Sequence, residues 1–300
     1  MAAQRVVSLI ASSTEIVYAL GLGERLVGRS HMCDFPPQAG RLPALTAPKL
    51  NVNTSSKGID EQVRKLAASG ASADALDVEK LKALAPDVVI APARGSLFSV
   101  SLKDVEAALS GRADVKIVAL EPNRLEDVFN DIRKIADALE VASAGEALVH
   151  RLRSRMHTVA EKAAELPPVS VACLSWLDPL MLAGGWTAEL VAMAGGRGVE
   201  AERGGEWNAL AGSAPEAIVA MPCGFNLMRT RLEMSALASK PEWCRLKAVQ
   251  SGRTCAADGH QFFNRPGPRL AESLEILAEI LHPKEFSFGY QGSGWEPYRL

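Results

Sequence analysis

The chain has 300 residues, 48% of them hydrophobic, and its 33 lysines and arginines nearly balance 35 aspartates and glutamates for a formal net charge of −2. This length allows two domains of ordinary size, each with its own core, and the balanced charge excludes the basic surface of a nucleic-acid-binding protein. The cysteines show no CxxC spacing, which argues against a disulfide framework or a zinc knuckle and favours a reducing compartment. They are Cys33, Cys173, Cys223, Cys244 and Cys255.

Short β-branched runs alternate with helical patterns up to about residue 120. This alternation predicts an α/β layer built on a mostly parallel sheet. Gly21 lies where a helix ends, so we interpret it as a helix C-cap and not as part of a dinucleotide-binding fingerprint. The predicted strands are 6–10, 26–28, 87–91 and 115–120, and the predicted helices are 15–20, 60–69 and 78–84.

The stretch 125–166 shows helical periodicity and no strand signal. Its second half begins at a cap near Ser143 and runs to Leu166, which corresponds to roughly 35 Å of helix at 1.5 Å per residue. A helix of that length can act as a rigid strut between two lobes. A helical hairpin packed on one lobe remains the alternative.

A second α/β pattern follows Pro167 and Pro168, with predicted strands at 169–174, 217–220 and 254–257 and helices at 187–194 and 270–281. The predicted fold class is therefore α/β, with two lobes of mostly parallel sheet joined by a single long helix. The predicted boundaries are 1–124 for the first lobe, 125–166 for the helical connection, 167–285 for the second lobe and 286–300 for a tail. Such a tail either folds over a lobe or stays loose.

The segment from Phe262 to Arg265 precedes the last predicted helix and is held by Pro266, Gly267 and Pro268. Leucines at 270, 274, 277 and 281 form one apolar stripe, and Pro268 suits the first position of a helix. A stiff loop at the positive end of a helix is typical of a binding edge. An ordinary turn with two core phenylalanines remains the alternative.

Ligands of open parallel sheets lie beyond the carboxyl ends of the strands, where loops converge. Aromatic walls with a few polar groups at those ends suit a large, flat organic ligand. The candidate ligand-binding residues are Ser12, Ser13, His31, Cys33, Asp34, Arg94, Trp176, Trp186, Cys223, Phe225, Phe262, Phe263, Asn264 and Arg265.

Catalytic signatures are absent from the sequence: it contains no GxSxG, no HExxH and no phosphate-binding GxxxxGK[ST]. We therefore assign no catalytic residue and expect a protein that is not an enzyme. His31, Cys33 and Asp34 form the alternative of a zinc or cobalt site, with Cys223 as a fourth ligand. A structural role for these residues, or an enzyme on the same scaffold, also stays open.

Several stretches together resemble the iron-siderophore and cobalamin binding-protein family of ABC importers, particularly its cobalamin-binding members. The resemblance extends from residue 5 to about residue 283, and its motifs are loose individually but specific in their order and spacing. They are residues 5–36, 76–91, 190–196 and 214–219 and the Arg-Pro-Gly-Pro-Arg turn at 265–269.

The resemblance implies two α/β lobes joined by one long helix, with a ligand held between the lobes and little hinge closure. It places Ser12, Ser13 and the turn 31–34 on the first lobe's side of the ligand, with Trp176, Trp186 and Phe225 opposite. The ligand it implies is cobalamin or another corrinoid. No separate cofactor is required.

Two departures from the family pattern lead to a further expectation. The N-terminus shows neither a secretory leader nor a membrane span, which predicts a cytoplasmic protein; a periplasmic protein whose leader has been removed is the alternative. Family members that feed a permease present one glutamate on each lobe. Glu79 matches the first position, whereas Asn208 occupies the second. We therefore expect a binder that does not serve an importer of the usual kind and does not insert into a membrane.

Overall fold

The computed structural model describes residues 4–93, 99–199 and 206–299, and the chain divides into two compact units. Unit 1 comprises Met1–Thr54 and Gly58–Arg151, and unit 2 comprises Ser55–Lys57 and Leu152–Leu300. None of the helices in the described ranges is both long and apolar enough to span a membrane.

Unit 1 is built on a four-stranded parallel sheet in the order β2-β1-β5-β6, beside a small antiparallel pair, β3 and β4. The strands are β1 (Val6–Ser8), β2 (Leu26–Arg29), β3 (Thr46–Pro48), β4 (Asp74–Leu76), β5 (Val88–Pro92) and β6 (Lys116–Leu120). The helices are α1 (Ala11–Ala19), α2 (Ser56–Ala68), α3 (Val78–Ala83), α4 (Leu102–Ala108) and α5 (Leu125–Ala138). Val7, Val89 and Ala91 of the central strands pack with Leu81 and Val105 in one core cluster.

The start of the first helix differs from the sequence prediction. The expected strand 6–10 ends at Ser8, and α1 begins at Ala11 instead of residue 15. Gly21 has a φ of 78°, in the left-handed region that follows many helix ends, which confirms its prediction as a C-cap residue.

The predicted long helix is a continuous element, α6 (Ala142–Ala164), of 23 residues. The division between the two units falls inside it, between Arg151 and Leu152. The helix is thus shared by both units. Helix α5 clusters with unit 1, and the tail after residue 285 clusters with unit 2.

Unit 2 contains a six-stranded sheet in the order β12-β11-β10-β7-β8, with β9 paired to the first half of β7. Strands β9, β7, β10 and β11 are parallel, and β8 and β12 are antiparallel to their neighbours. The strands are β7 (Val169–Leu177), β8 (Leu180–Leu182), β9 (Gly196–Gly198), β10 (Ala217–Ala220), β11 (Thr254–Ala257) and β12 (Trp295–Pro297). The helices are α7 (Trp186–Met193), α8 (Glu206–Ser213), α9 (Leu227–Ala238), α10 (Pro241–Cys244), α11 (Lys247–Gln250) and α12 (Leu270–Leu281).

Helix α12 is buried on more sides than its apolar stripe predicts. Ser273, Glu275 and Glu279 are buried along with the leucines. Its start also corrects the sequence prediction: Arg269 is the N-cap and the helix begins at Leu270, so Pro268 precedes the helix instead of occupying its first position. The turn before it is closed by a hydrogen bond from Leu270 N to Gly267 O of 3.1 Å.

The C-terminal tail folds onto unit 2. Its strand β12 pairs antiparallel with β11, in the register Cys255 with Pro297 and Ala257 with Trp295. A sequence of glycines and aromatic residues showed no strand pattern, because the pairing depends on an edge that only the folded sheet provides.

The core of unit 2 generates a stability prediction. Trp243 is fully buried in the cluster around β7 and β10, and its indole N–H has no hydrogen-bond partner among the described residues. Replacing Trp243 by alanine is expected to cost about 3–5 kcal/mol of unfolding free energy because it leaves a large cavity. Trp243→Phe is expected to cost about 1 kcal/mol, since the ring stays and an unpaired donor is removed. Urea unfolding measures both, and equal losses for the two variants would contradict this account.

Candidate functional site

The carboxyl edge of the unit 2 sheet brings together most of the candidate residues. Strands β7, β10 and β11 are in parallel register, with Ala220 paired to Leu174 on one side and Ala256 on the other. The segments that follow these strands therefore emerge at the same edge. They carry Cys223, Phe225, His260, Asn264 and Arg265, and Trp176 lies at the end of β7 itself.

Aromatic rings form the first part of this edge. The Trp176 and Phe225 ring centroids lie 5.1 Å apart at an interplanar angle of 47°, and both side chains are buried. The Arg229 guanidinium carbon lies 4.8 Å from the centroid of the Phe225 ring, a cation–π contact. Arg229 had no place in the sequence prediction, because only the fold brings the first turn of α9 over Phe225.

Trp186 is the first residue of α7 and contacts the segment after β11. It follows Gly185, whose φ of 58° lies in the left-handed region that favours glycine. The Trp186 side chain is half-buried, and its Nε1 donates to the carbonyl oxygen of Phe263 at 3.0 Å. This bond fixes the orientation of the indole ring and leaves part of the ring accessible.

A single turn of π-helix, Gly259–Phe263, follows β11. Asp258 caps it: its carboxylate accepts from the backbone N–H of Gln261 at 2.7 Å. A side chain at Gly259 would collide with the carbonyl oxygens of Met221 and Pro222, so the close approach of this turn to the end of β10 requires glycine. We call residues 258–265 the π-turn loop. Short π-helical turns occur frequently at functional sites.

The four residues predicted to form one wall have different surroundings in the π-turn loop. Phe263 is a core residue, and Phe262 is half-buried. The Asn264 side-chain amide donates to the carbonyl oxygens of Met221 and Gly259, at 3.0 and 2.9 Å, so its N–H groups hold the loop on β10. Arg265 is buried, and its Nη2 lies 2.7 Å from His260 Nε2. Ligand contact by any of these residues stays a prediction, and the burial of Phe263 does not favour it.

Arg265 also influences the chemistry of Cys223. Burial raises the pKa of the Cys223 thiol to about 11, and the positive charge of Arg265 opposes part of that rise. Burial likewise raises the pKa of Asp258, although the Gln261 amide and nearby cations stabilise its carboxylate. Cys223 is thus a neutral thiol at neutral pH. A thiol in this state is a weak nucleophile and a weak metal ligand.

The corresponding edge of unit 1 carries a network of buried hydroxyl groups. Ser8 Oγ and Ser13 Oγ are 2.7 Å apart, Thr14 Oγ1 donates to Ser8 Oγ at 2.7 Å, and Ser13 Oγ donates to Ile10 O at 2.9 Å. Ser12 and Ser13 are both buried. The Ser13 hydroxyl therefore stabilises the start of α1. The predicted ligand contacts of Ser12 and Ser13 remain predictions.

The turn after β2 places the suspected metal ligands in unlike environments. His31 Nδ1 lies 2.7 Å from Thr46 Oγ1, and burial followed by the Arg29 charge lowers the pKa of His31. Cys33 is fully buried, with its Sγ 3.8 Å from Ser8 O, whereas Asp34 is exposed. Within the described ranges no three His, Cys, Asp or Glu side chains are grouped to hold a metal ion. Arg94, another candidate, lies outside the described residues.

The chain is similar to known binding proteins over most of its length. The family model described as Periplasmic binding protein matches residues 6–259. The chain belongs to this family. It is 25% identical over 292 residues to the uncharacterized ABC transporter substrate-binding lipoprotein YvrC of Bacillus subtilis, which covers 94% of this chain and 81% of that protein. It is 27% identical over 280 residues to a vitamin B12-binding protein of Yersinia pestis, covering 93% of this chain and 86% of the relative.

Solved structures of the same class support the fold. A periplasmic heme binding protein from Pseudomonas aeruginosa superimposes with a TM-score of 0.73 at 21% identity, covering 99% of this chain and 98% of the other. The periplasmic vitamin B12 binding protein BtuF of Vibrio cholerae gives a TM-score of 0.65 at 22% identity, covering 93% and 96%. These matches confirm the predicted fold class and the resemblance to ABC transporter substrate-binding proteins.

The same matches correct one expectation. The predicted cytoplasmic location is wrong, because the relatives that match over nine-tenths of the chain are a lipoprotein and periplasmic binding proteins. The sequence argument depended on the N-terminal residues alone, and these do not decide the location of the protein. The family also implies a small-molecule ligand and a permease partner, against our doubt about an importer.

Thiol reactivity tests the geometry of this edge. Cys244 is exposed, whereas Cys223 has its pKa raised to about 11 by burial. Iodoacetamide at neutral pH is expected to label Cys244 within minutes and Cys223 far more slowly, because the thiolate is the reactive form. Peptide mass spectrometry measures both rates, and Cys223 labelling should rise as the pH approaches its pKa. Equally fast labelling of the two cysteines at neutral pH would contradict the environment described for Cys223.

Proposed function

We propose that this protein binds a corrinoid at the carboxyl edge of the unit 2 sheet and carries out no reaction on it. The observation that carries the proposal is the half-buried Trp186 ring, which is held on the π-turn loop by its bond to the Phe263 carbonyl oxygen. Trp176 and Phe225 are buried rings at the same sheet edge and support it from the core. Rigid aromatic faces provide a large contact area at small entropic cost and suit a flat macrocycle.

The polar groups of this edge complement such a ligand. A corrinoid carries amide side chains around an apolar macrocycle, so its site needs both donors and acceptors near the aromatic surface. Arg229 is half-buried over the Phe225 ring, and His260, also half-buried, donates its backbone N–H to the carbonyl oxygen of Phe225. The partly buried hydrogen bonds of Asn264 and Arg265 hold the loop in one conformation. A preformed site binds more tightly because less ordering entropy is lost on binding.

The choice of a corrinoid over haem follows from the sequence relatives. Curated relatives named vitamin B12-binding proteins are 24% to 27% identical over 93% of the chain. The neighbours named for heme are 16% to 24% identical and support the fold alone. Both ligands are large metal tetrapyrroles, so haem is the second candidate. It is included as a competing ligand in the test below.

Ligand binding is testable by titration with hydroxocobalamin, with haemin in parallel. We expect saturable quenching of tryptophan fluorescence by hydroxocobalamin at one site per chain. Trp186→Ala should weaken binding by about 1–3 kcal/mol because a stacking surface is lost. Trp186→Phe is the matched control: it keeps a ring but loses the bond to Phe263 O, and it should retain most of the affinity.

Two outcomes of the titration, and one of a metal analysis of the purified protein, would contradict the corrinoid proposal. Saturation with haemin alone would favour the haem alternative. Absence of heat and quenching with either ligand would remove the tetrapyrrole class altogether. Stoichiometric zinc in the purified protein, lost on Cys33→Ser, would instead support the metal site considered at His31, Cys33 and Asp34.

We further propose that the protein delivers its ligand to an ABC importer and that Glu79 contributes to docking. The Glu79 side chain is 89% exposed near the start of α3 and forms an ion pair with Lys82 at 3.6 Å. An exposed carboxylate of this kind is available to a cationic partner surface. Asn208, in α8, occupies the position where family members carry the second docking glutamate. It is exposed there and contributes no charge.

Docking can be measured as stimulation of ATP hydrolysis by a reconstituted importer from the same host. Glu79→Gln is expected to lower the apparent affinity for the importer by about 5-fold or more, since one charge contact is lost. For the same reason, the affinity of the variant should depend less on salt concentration than that of the parent. Glu106→Gln, at another exposed site of unit 1, is the matched control. Equal stimulation by the Glu79 and Glu106 variants would contradict a docking role for Glu79.

A further inference from the structure

The C-terminal tail of unit 2 is attached to α12 by a buried carboxylate. Glu279 is 4% exposed and accepts hydrogen bonds from the backbone N–H groups of Phe288, Gly289 and Tyr290. Its Oε2 also accepts from Trp295 Nε1 at 2.9 Å. A buried carboxylate with this many donors is fully satisfied, and it fixes both ends of the segment 288–295.

A second set of contacts fixes the Tyr290 side chain. Its hydroxyl donates to Glu275 Oε2 at 2.9 Å, and Arg155 of α6 binds the same carboxylate through Nε and Nη2 at 2.7 and 2.6 Å. Burial and the Glu275 carboxylate raise the pKa of Tyr290, so the hydroxyl stays a donor at physiological pH. Arg155 also pairs with Glu272 at 3.1 Å. The ring of Tyr290 is therefore held in one orientation.

The same tail segment contacts the π-turn loop directly. Asp258 N donates to Gly294 O at 2.9 Å, and the Phe262 and Tyr290 rings meet edge to face with centroids 6.0 Å apart. Gly294 lies so close to this loop that an added Cβ would be 3.3 Å from Phe262 Cε2 and 2.9 Å from Ile276 Cδ1. Arg269 covers the Phe262 ring from another side, 5.4 Å from its centroid.

The backbone–backbone hydrogen bonds inside the π-turn loop are long, although side chains of Asp258, Asn264 and Arg265 also bond within it. Phe262 N to Asp258 O and Asn264 N to Gly259 O are both 3.3 Å, longer than ordinary backbone hydrogen bonds. A π-helical turn has poorer geometry than an α-helical one and depends on its surroundings for stability. The tail supplies part of those surroundings. The family model matches residues 6–259, so residues 260–265 of this loop and the whole tail lie outside the match.

We infer that the C-terminal tail is a positioning element for the ligand-binding loop, and that Tyr290 and Gly294 set the conformation in which the π-turn loop meets the ligand. The inference rests on the proposed function, because it takes the π-turn loop as part of the ligand site. Tyr290 acts through Phe262, and Gly294 acts through Asp258 and Phe262. Neither residue needs to touch the ligand.

The experiment combines hydrogen exchange of the unliganded protein with hydroxocobalamin affinity. Tyr290→Ala removes the ring and the hydroxyl, and it should speed exchange in residues 258–265 by about tenfold or more. It should also weaken hydroxocobalamin binding by about 5- to 20-fold, since the loop must then be ordered on binding. Tyr290→Phe keeps the ring on Phe262 and should restore affinity to within about 3-fold of the parent.

Two further variants keep the test decisive. Phe288→Ala truncates a tail side chain that is 43% exposed and stacks on Phe286, away from the loop, and should change neither measurement. Gly294→Ala perturbs the loop contact without removing the Tyr290 anchor. If Tyr290→Ala fails to fold, Gly294→Ala should still speed loop exchange and weaken binding.

The outcomes separate the inference from the proposed function. Unchanged loop exchange in both Tyr290→Ala and Gly294→Ala would overturn the inference. So would unchanged affinity in these variants, if the parent protein binds hydroxocobalamin. A parent protein that does not bind hydroxocobalamin would contradict the proposed function, and loop exchange would then decide the positioning role alone.

Discussion

The parallel register of β7, β10 and β11 is the constraint on which the candidate site depends. Because Ala220 pairs with Leu174 and with Ala256, three chain segments leave the sheet at one edge. Residues separated by tens of positions in sequence thereby become neighbours, as Trp176 and Phe225 do. A slip of one residue in β10 would turn its side chains to the opposite faces of the sheet and misplace the segment that carries Cys223 and Phe225.

Polar side chains then join the loops of this edge to one another through hydrogen bonds. The Asn264 amide joins the π-turn loop to β10, and Trp186 joins α7 to the same loop through the carbonyl of Phe263. Each bond satisfies a group that would be costly to bury alone, so each also excludes other loop conformations. The acidic side chains of α12 act in the same way on the tail. Several residues selected for ligand chemistry thus also hold the loops of this edge in place.

The sequence predicts the fold well where periodicity is local. Strands β10 and β11 and helix α12 have the bounds expected from their apolar runs, and the predicted long helix is α6. It predicts poorly where an element depends on distant partners. Strand β12 has glycines and aromatic residues around it and exists because β11 offers an edge. The early start of α1 depends on hydroxyl bonds between Ser8, Ser13 and Thr14, which no periodicity reveals.

For the candidate site, position at strand ends selected residues that the fold brings to one sheet edge, but it did not reveal the surroundings of each side chain. Phe262 and Phe263 are adjacent, yet one is half-buried and the other is core, because neighbouring side chains of a helical turn point in different directions and the sequence does not show which one faces the core. Asp258, His260 and Tyr290 were missed: the first two follow directly on β11, and the third is brought to the loop by the tail. The Asp-Gly pair at 258–259 is a turn signal in the sequence and could have indicated the loop after β11.

The central claim, that the bound molecule is a corrinoid, is tested most directly by native mass spectrometry of the protein purified from its own host. The account predicts a single non-covalent adduct with the mass of one corrinoid, which is lost from the Trp186→Ala variant under the same conditions. An adduct with the mass of haem or of another ligand would contradict it. So would protein that stays unliganded after incubation with excess hydroxocobalamin.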